Sequence, residues 1–109
     1  MSDDRDAGGN DPRETQLRSA LSLPSPVVSG GRIEIGYRFP GGSQAVKLMI
    51  YDLRGALVRI LVREQMLGGD YRVTWDLRDE RGRALPSGIY LARLKTADGI
   101  RTDKVILLK

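Results

Sequence analysis

The chain has 109 residues, 40% of them hydrophobic, with a formal net charge of +4 and neither cysteine nor histidine. That length argues for one domain, able to bury about 65% of the surface of the open chain. The missing residue types exclude disulfides and thiolate metal sites, and with them the commonest general base and zinc ligand.

Residues 1–20 carry Asp3, Asp4, Asp6, Asp11 and Glu14 against Arg5, Arg13 and Arg18. This is a net charge of −2, so the remainder has a net charge of +6. The stretch is polar, rich in Asp and Gly, and without period. It is expected to be a disordered, flexible leader or linker, with the folded domain spanning 21–109. Met1 to Asp6 lacks the apolar core of a signal peptide, and no run approaches the ~20 apolar residues needed to span a bilayer.

Leu21-Ser22-Leu23 is predicted as a short edge strand, stopped by Pro24 and Pro26, which supply no N–H. After Gly30-Gly31, Ile33, Ile35, Tyr37 and Phe39 alternate with Arg32, Glu34, Gly36 and Arg38. This is the clearest period-two signal in the chain. Pro40-Gly41-Gly42-Ser43 ends it. The next strand, 45–51, points Val46, Leu48 and Ile50 inward. Asp52-Leu53-Arg54-Gly55 reads as a hairpin turn. The spacing of Leu57, Leu61 and Glu64 would also suit a helix over 56–67. Val58, Ile60 and Val62 are β-branched at every second position, so a strand over 56–63 with those three inward is preferred.

Gly68-Gly69-Asp70 turns the chain into a strand ending at Trp75, with Tyr71, Val73 and Trp75 on one face. The single tryptophan is expected to be buried with its indole N–H partnered. Polar turns at Asp79–Gly82 and Pro86-Ser87-Gly88 lead to a strand over 89–95 that turns Tyr90, Ala92 and Leu94 inward. Ala97-Asp98-Gly99 makes a tight turn before the last strand, 100–108. The pattern predicts an all-β fold, an antiparallel sandwich of about seven strands.

The order Tyr51-Asp52-Leu53-Arg54-Gly55, Gly68-Gly69-Asp70-Tyr71, Trp75-Asp76, Gly82, Ser87-Gly88-Ile89-Tyr90 and Lys104-Val105-Ile106-Leu107-Leu108-Lys109 resembles two related families. One is the Ig-like domain of flagellar hook-capping proteins. The other is the C-terminal sorting domain of bacterial type IX secretion cargo. The resemblance marks Tyr51, Asp52, Gly55, Trp75, Asp76, Gly82, Ser87, Gly88 and Tyr90 as fold-defining. It implies a non-catalytic sorting or anchoring module of a larger exported protein, secreted or at the cell surface, read through Lys104–Lys109. The alternative it implies is a structural module of a filament or hook-cap assembly. Implied partners are a secretion translocon or neighbouring structural subunits, with self-association through edge strands. The sequence departs from the sorting pattern in two places: Leu23-Pro24-Ser25-Pro26 replaces an Asn- and Phe-containing entry, and Leu77 follows Trp75-Asp76 where Gly is usual.

The residues themselves offer little chemistry. Asp76, Asp79 and Glu80, with Asp52 as a neighbour, suggest a calcium loop or a carboxylate pair. Their spacing fits neither an EF-hand nor a glycosidase cleft, and acceptance of backbone N–H bonds in turns is the preferred reading. Ser29, Ser43 and Ser87 have no His to activate them. Tyr37, Tyr51, Tyr71 and Tyr90 with Trp75 suggest a carbohydrate platform, a further alternative. Core positions with the hydroxyls toward water are preferred. No enzyme activity and no cofactor is expected. The arginines fall on outward parities, and no recognition motif accompanies them, so no nucleic-acid partner is expected.

Overall fold

The computed structural model describes residues 19–23, 27–28 and 30–108. Of the leader expected over 1–20, residues 1–18 lie outside the described residues, as do Pro24, Pro26, Ser29 and Lys109; Ser19 is instead buried and Ala20 opens the first strand. The described chain is all β, with no helix: β1 (Ala20–Ser22), β2 (Val27–Val28), β3 (Ile33–Phe39), β4 (Gln44–Asp52), β5 (Leu57–Met66), β6 (Gly69–Trp75), β7 (Gly88–Thr96) and β8 (Gly99–Leu107). They form two sheets, one ordered β1-β3-β6 and the other β2-β8-β7-β4-β5. Seven strands pair antiparallel. The two residues of β2 run parallel to Ile106 and Leu107 of β8. The architecture is an Ig-like sandwich.

The alternation read from the sequence becomes two inner faces. Ile33, Ile35, Tyr37 and Phe39 are buried along β3, Val46, Leu48 and Ile50 along β4, and Tyr90, Ala92 and Leu94 along β7. The registers bring Trp75 opposite Ile33 and Tyr71 opposite Tyr37. Tyr37, Phe39 and Tyr71 stack with ring centroids 5.5–6.5 Å apart. The hydroxyl of Tyr37 then meets the Met66 sulfur at 3.8 Å, joining one sheet to the other. Trp75 is fully buried, and its Nε1–H donates to the Arg78 carbonyl at 3.1 Å.

Strand β5 departs from simple alternation. Its register against β4 shifts twice, between Leu48 and Met49 and between Ile50 and Tyr51, leaving Leu61 and Val58 as extra residues. Each extra residue reverses the parity that follows. Val58, Leu61 and Val62 therefore pack on the core, while Ile60, predicted inward, sits opposite the outward-facing Met49. Arg59 lands opposite inward-facing Ile50. A bulge thus carries one arginine from the outward parity expected of it to the inner side.

Two further core residues come from a loop. Leu77 and Leu85 are 4% and 7% exposed, and Leu85 N–H donates to the Leu77 carbonyl. Leu77 has φ 61°, a left-handed conformation that suits glycine. At the other end of the sandwich Gly68 closes onto Gly41: its N–H donates to the Gly41 carbonyl at 3.0 Å, and an added Cβ would lie 2.8 Å from the Gly41 nitrogen. The chain enters at Ser19, 3% exposed. Its Oγ lies 2.9 Å from Thr96 Oγ1, and its N–H donates to Asp98 Oδ2.

Removing the indole should remove the largest side chain from the interior. Trp75→Ala is expected to lower stability by about 3–5 kcal/mol in urea unfolding. The parent protein should show blue-shifted emission that acrylamide quenches poorly. Red-shifted, readily quenched emission would contradict the burial.

Candidate functional site

The acidic residues singled out in the sequence are occupied in shaping turns. Asp52 N–H donates to the Ala56 carbonyl, and Gly55 N–H to the Asp52 carbonyl, both at 3.0 Å. Asp52 Oδ1 accepts from the N–H groups of Arg54 and Ala56 at 2.9 and 3.0 Å, and Oδ2 from the Arg54 guanidinium. The same turn recurs 27 positions later. Asp79 N–H donates to the Arg83 carbonyl and Gly82 N–H to the Asp79 carbonyl. Asp79 Oδ1 accepts from Arg81 and Arg83 N–H, each at 2.9 Å, and Oδ2 from Arg83 Nε. The local sequences are Asp-Leu-Arg-Gly and Asp-Glu-Arg-Gly, with left-handed φ of 90° at Gly55 and 81° at Gly82. Short Asp side chains reach their own downstream amides, and Gly accepts the φ, so one motif makes one turn twice.

Asp76 completes the group. Its Oδ1 accepts from Arg78 N–H and from the guanidinium of Arg59, both at 3.1 Å. Arg59 also donates to the carbonyls of Arg78 and Asp79. The bulged strand thereby holds the loop that covers Trp75. Glu80 is turned to a different use. Its N–H donates to the Val58 carbonyl at 3.0 Å, and its Oε2 accepts from Ile60 N–H at 2.6 Å. Backbone and side chain of one residue thus occupy the open edge of β5 as a neighbouring strand would. The calcium and paired-carboxylate readings need carboxylates converging on a shared point. These four instead face amides and guanidinium groups, and no group of three acidic residues suited to a metal occurs among the described residues.

The tyrosines divide. Tyr37 and Tyr90 are buried, and Tyr71 is half-buried. Tyr71 and Tyr90 each donate to the carbonyl four residues upstream, Leu67 at 2.6 Å and Pro86 at 2.8 Å. These are tyrosine-corner contacts that pin the starts of β6 and β7. Gly88, the first residue of β7, lies opposite Leu107. Tyr51 differs from the expected core position. It lies on the outer face of the larger sheet, beneath the Arg93 guanidinium at 4.7 Å from the ring centroid. With Trp75 sealed inside and Tyr51 on the opposite side of its sheet, the five rings form no carbohydrate platform.

The terminal stretch splits by environment. Val105 and Leu107 are buried, Ile106 is half-buried, and Lys104 and Leu108 are exposed. From Gly99 to Lys104 every residue of β8 is exposed. Here β8 pairs only with β7, because β2 reaches no further than Ile106 and Leu107. Arg101 and Asp103 stand opposite buried Leu94 and Ala92, so charge occupies the inner parity over this exposed part of β8.

Backbone N–H bonds, from Ala56 for Asp52 and from Arg83 for Asp79, hold both carboxyls below their usual range. A lowered folded-state value adds stability above the unfolded value of about 3.9, and that contribution fades as pH falls through the folded value. Urea midpoints should therefore drop from neutral pH to about pH 3. In Asp52→Asn/Asp79→Asn, which keeps an acceptor oxygen but no charge, the drop should be visibly smaller. Equal slopes would refute the linkage. Separately, Glu80→Ala should uncover Ile60 N–H and give a concentration-dependent rise in mass by light scattering, whereas Glu80→Gln should not.

The model for the FlgD Ig-like domain matches residues 23–99. Among solved structures, the fold is similar to dimeric latent PorU from Porphyromonas gingivalis, with TM-score 0.65, 24% identity and 83% of this chain covered. FlgD from P. aeruginosa gives TM-score 0.57 and 22% identity over 83% of this chain and 76% of that one. PorZ, described as an essential bacterial surface component of the type-IX secretion system of P. gingivalis, gives TM-score 0.54 and 14% identity over 94% of this chain. The chain spans 9% of PorU and 13% of PorZ. No curated protein matches. With a family model covering the sandwich from Leu23 through the β7–β8 turn, the chain belongs to the FlgD Ig-like domain family.

Proposed function

We propose that this domain is a non-catalytic sorting or anchoring module of a larger exported bacterial protein, recognised through its last strand. The observation that carries the reading is the state of β8. It is anchored in the core only by Val105 and Leu107, while Gly99–Lys104 presents exposed side chains and an edge that β2 leaves uncovered. Such an edge can be read by strand addition, with main-chain bonds for affinity and side chains for selection. The likeness to PorU and PorZ supports placing such a module on a type IX secretion protein at the cell surface.

A second reading is favoured by the family match itself, which ends at Gly99 where β8 begins. The sandwich is also shared with FlgD from P. aeruginosa, over 83% of this chain. On that reading the domain is a structural segment held by neighbouring subunits.

The experiment is an export assay. The chain is fused to a reporter in a type IX secretion-competent bacterium, with Lys104→Glu/Lys109→Glu as the variant. These positions lie outside the buried pair Val105 and Leu107, so the purified variant should keep its melting temperature while the reporter stays in the cell. Export indifferent to the variant and to loss of 104–109 would overturn the sorting role. Mass growth in light scattering by the parent protein would instead support the structural one.

A further inference from the structure

The outer face of the larger sheet is charged in one sense only. The registers place Lys47, Arg63, Arg93, Lys95 and Lys104 on the outward parity of β4, β5, β7 and β8. No Asp or Glu shares that parity on these four strands. None of the five makes an ion pair with a described residue. Three of them, Lys95, Lys47 and Arg63, stand directly across from one another on adjacent strands. Like charges so placed destabilise a sheet, so this row costs the fold something and gains it nothing visible.

Beside the row lies an apolar field. Met49, Tyr51, Leu57, Ile60 and Leu91 occupy the same face and are half-buried, apart from the exposed Leu57. Arg93 lies in their midst, stacked over Tyr51, with its Nε shut from solvent and without an acceptor among the described residues. Cations around apolar residues, with acids excluded, are complementary to a surface of opposite make-up.

We infer that this face binds an acidic, amphipathic segment of a partner protein, its carboxylates meeting Lys47, Lys95 and Arg63 and its apolar side chains covering Met49, Tyr51 and Ile60. The size of the face fits a segment. Four strands at ~4.8 Å and four rows at ~6.7 Å give about 500 Å², below the ~800 Å² that each partner buries in a standard stable interface. A second copy would set five cations against five. A nucleic acid would leave the aliphatic residues uncovered, and the one aromatic on the face is already stacked by Arg93. The inference rests on reading the domain as a contact module. Its test measures binding alone, so an export or assembly role can stand when it fails.

The probe is a synthetic amphipathic peptide with Glu along one helical face and Leu and Phe along the other, labelled for fluorescence anisotropy. It is titrated with the full chain at about 0.15 M salt, where long-range attraction is largely screened. Saturable binding is expected, weakened roughly tenfold or more by Lys47→Glu/Lys95→Glu and, independently, by Leu57→Ser/Ile60→Ser. Both pairs are outward-facing, and unchanged melting temperatures establish that folding is intact. No binding, or equally tight binding of poly-glutamate or single-stranded DNA, would overturn the inference. So would a doubled mass at working concentration, which would assign the face to a second copy. Much tighter probe binding after Asp3, Asp4, Asp6, Asp11 and Glu14 are all neutralised would assign it to the chain's own N-terminal segment.

Discussion

The indole of Trp75 sits where the smaller sheet ends and the polar loop begins, and the rest of the architecture is arranged to keep it dry. Its apolar body lies against the inner faces of both sheets, which accounts for the large contribution one such side chain makes. Its N–H still needs an acceptor, and a buried donor left alone costs about 1–3 kcal/mol. The Arg78 carbonyl supplies it. That carbonyl is available only because the chain reverses just after the strand. The reversal is held by Asp76, the Asp79 turn and the reach of Arg59 from the opposite sheet. A single hydrophobic requirement thus propagates into a network of polar contacts outside the core.

That network explains why so many carboxylates yield so little chemistry. In this chain the acids act as backbone substitutes. Asp52 and Asp79 accept amides that no strand serves, Glu80 stands in for a missing neighbour on β5, and Asp98 receives the incoming chain at Ser19. An acid used in this way is tied to its own turn or strand edge. The lysines and arginines of the larger sheet's outer face have no such acids beside them, and that face is left cationic and partly apolar. Charge that looks ordinary when summed over the chain becomes lopsided once the fold distributes it.

How much of this was legible beforehand depended on periodicity. The inner faces of β3, β4 and β7 followed from strict alternation, and the burial of Trp75 from its size and parity. What alternation cannot show is an inserted residue. Val58 and Leu61 leave no mark in the sequence, because Leu57 to Val62 is apolar at every position but Arg59, so simple alternation puts Ile60 on the wrong face. Leu77 and Leu85 lie outside any periodic run and reach the core from a loop. The strand role of Glu80 depends on a contact across 20 positions, which no local pattern encodes. The doubled Asp-x-Arg-Gly turn, by contrast, was present as a visible repeat of four residues. The cationic face required the cross-strand registers, since its members come from four separate strands.

Leu77, two residues after the tryptophan, holds a left-handed backbone conformation (φ 61°) that suits glycine. Its left-handed backbone costs about 1–2 kcal/mol for a residue with a side chain. Burying that side chain returns about 1.5–3 kcal/mol. The two effects reside in one residue and oppose each other. The seat of the loop over the indole therefore rests on a small difference, with the burial of Leu77 offsetting the strain of its own torsion.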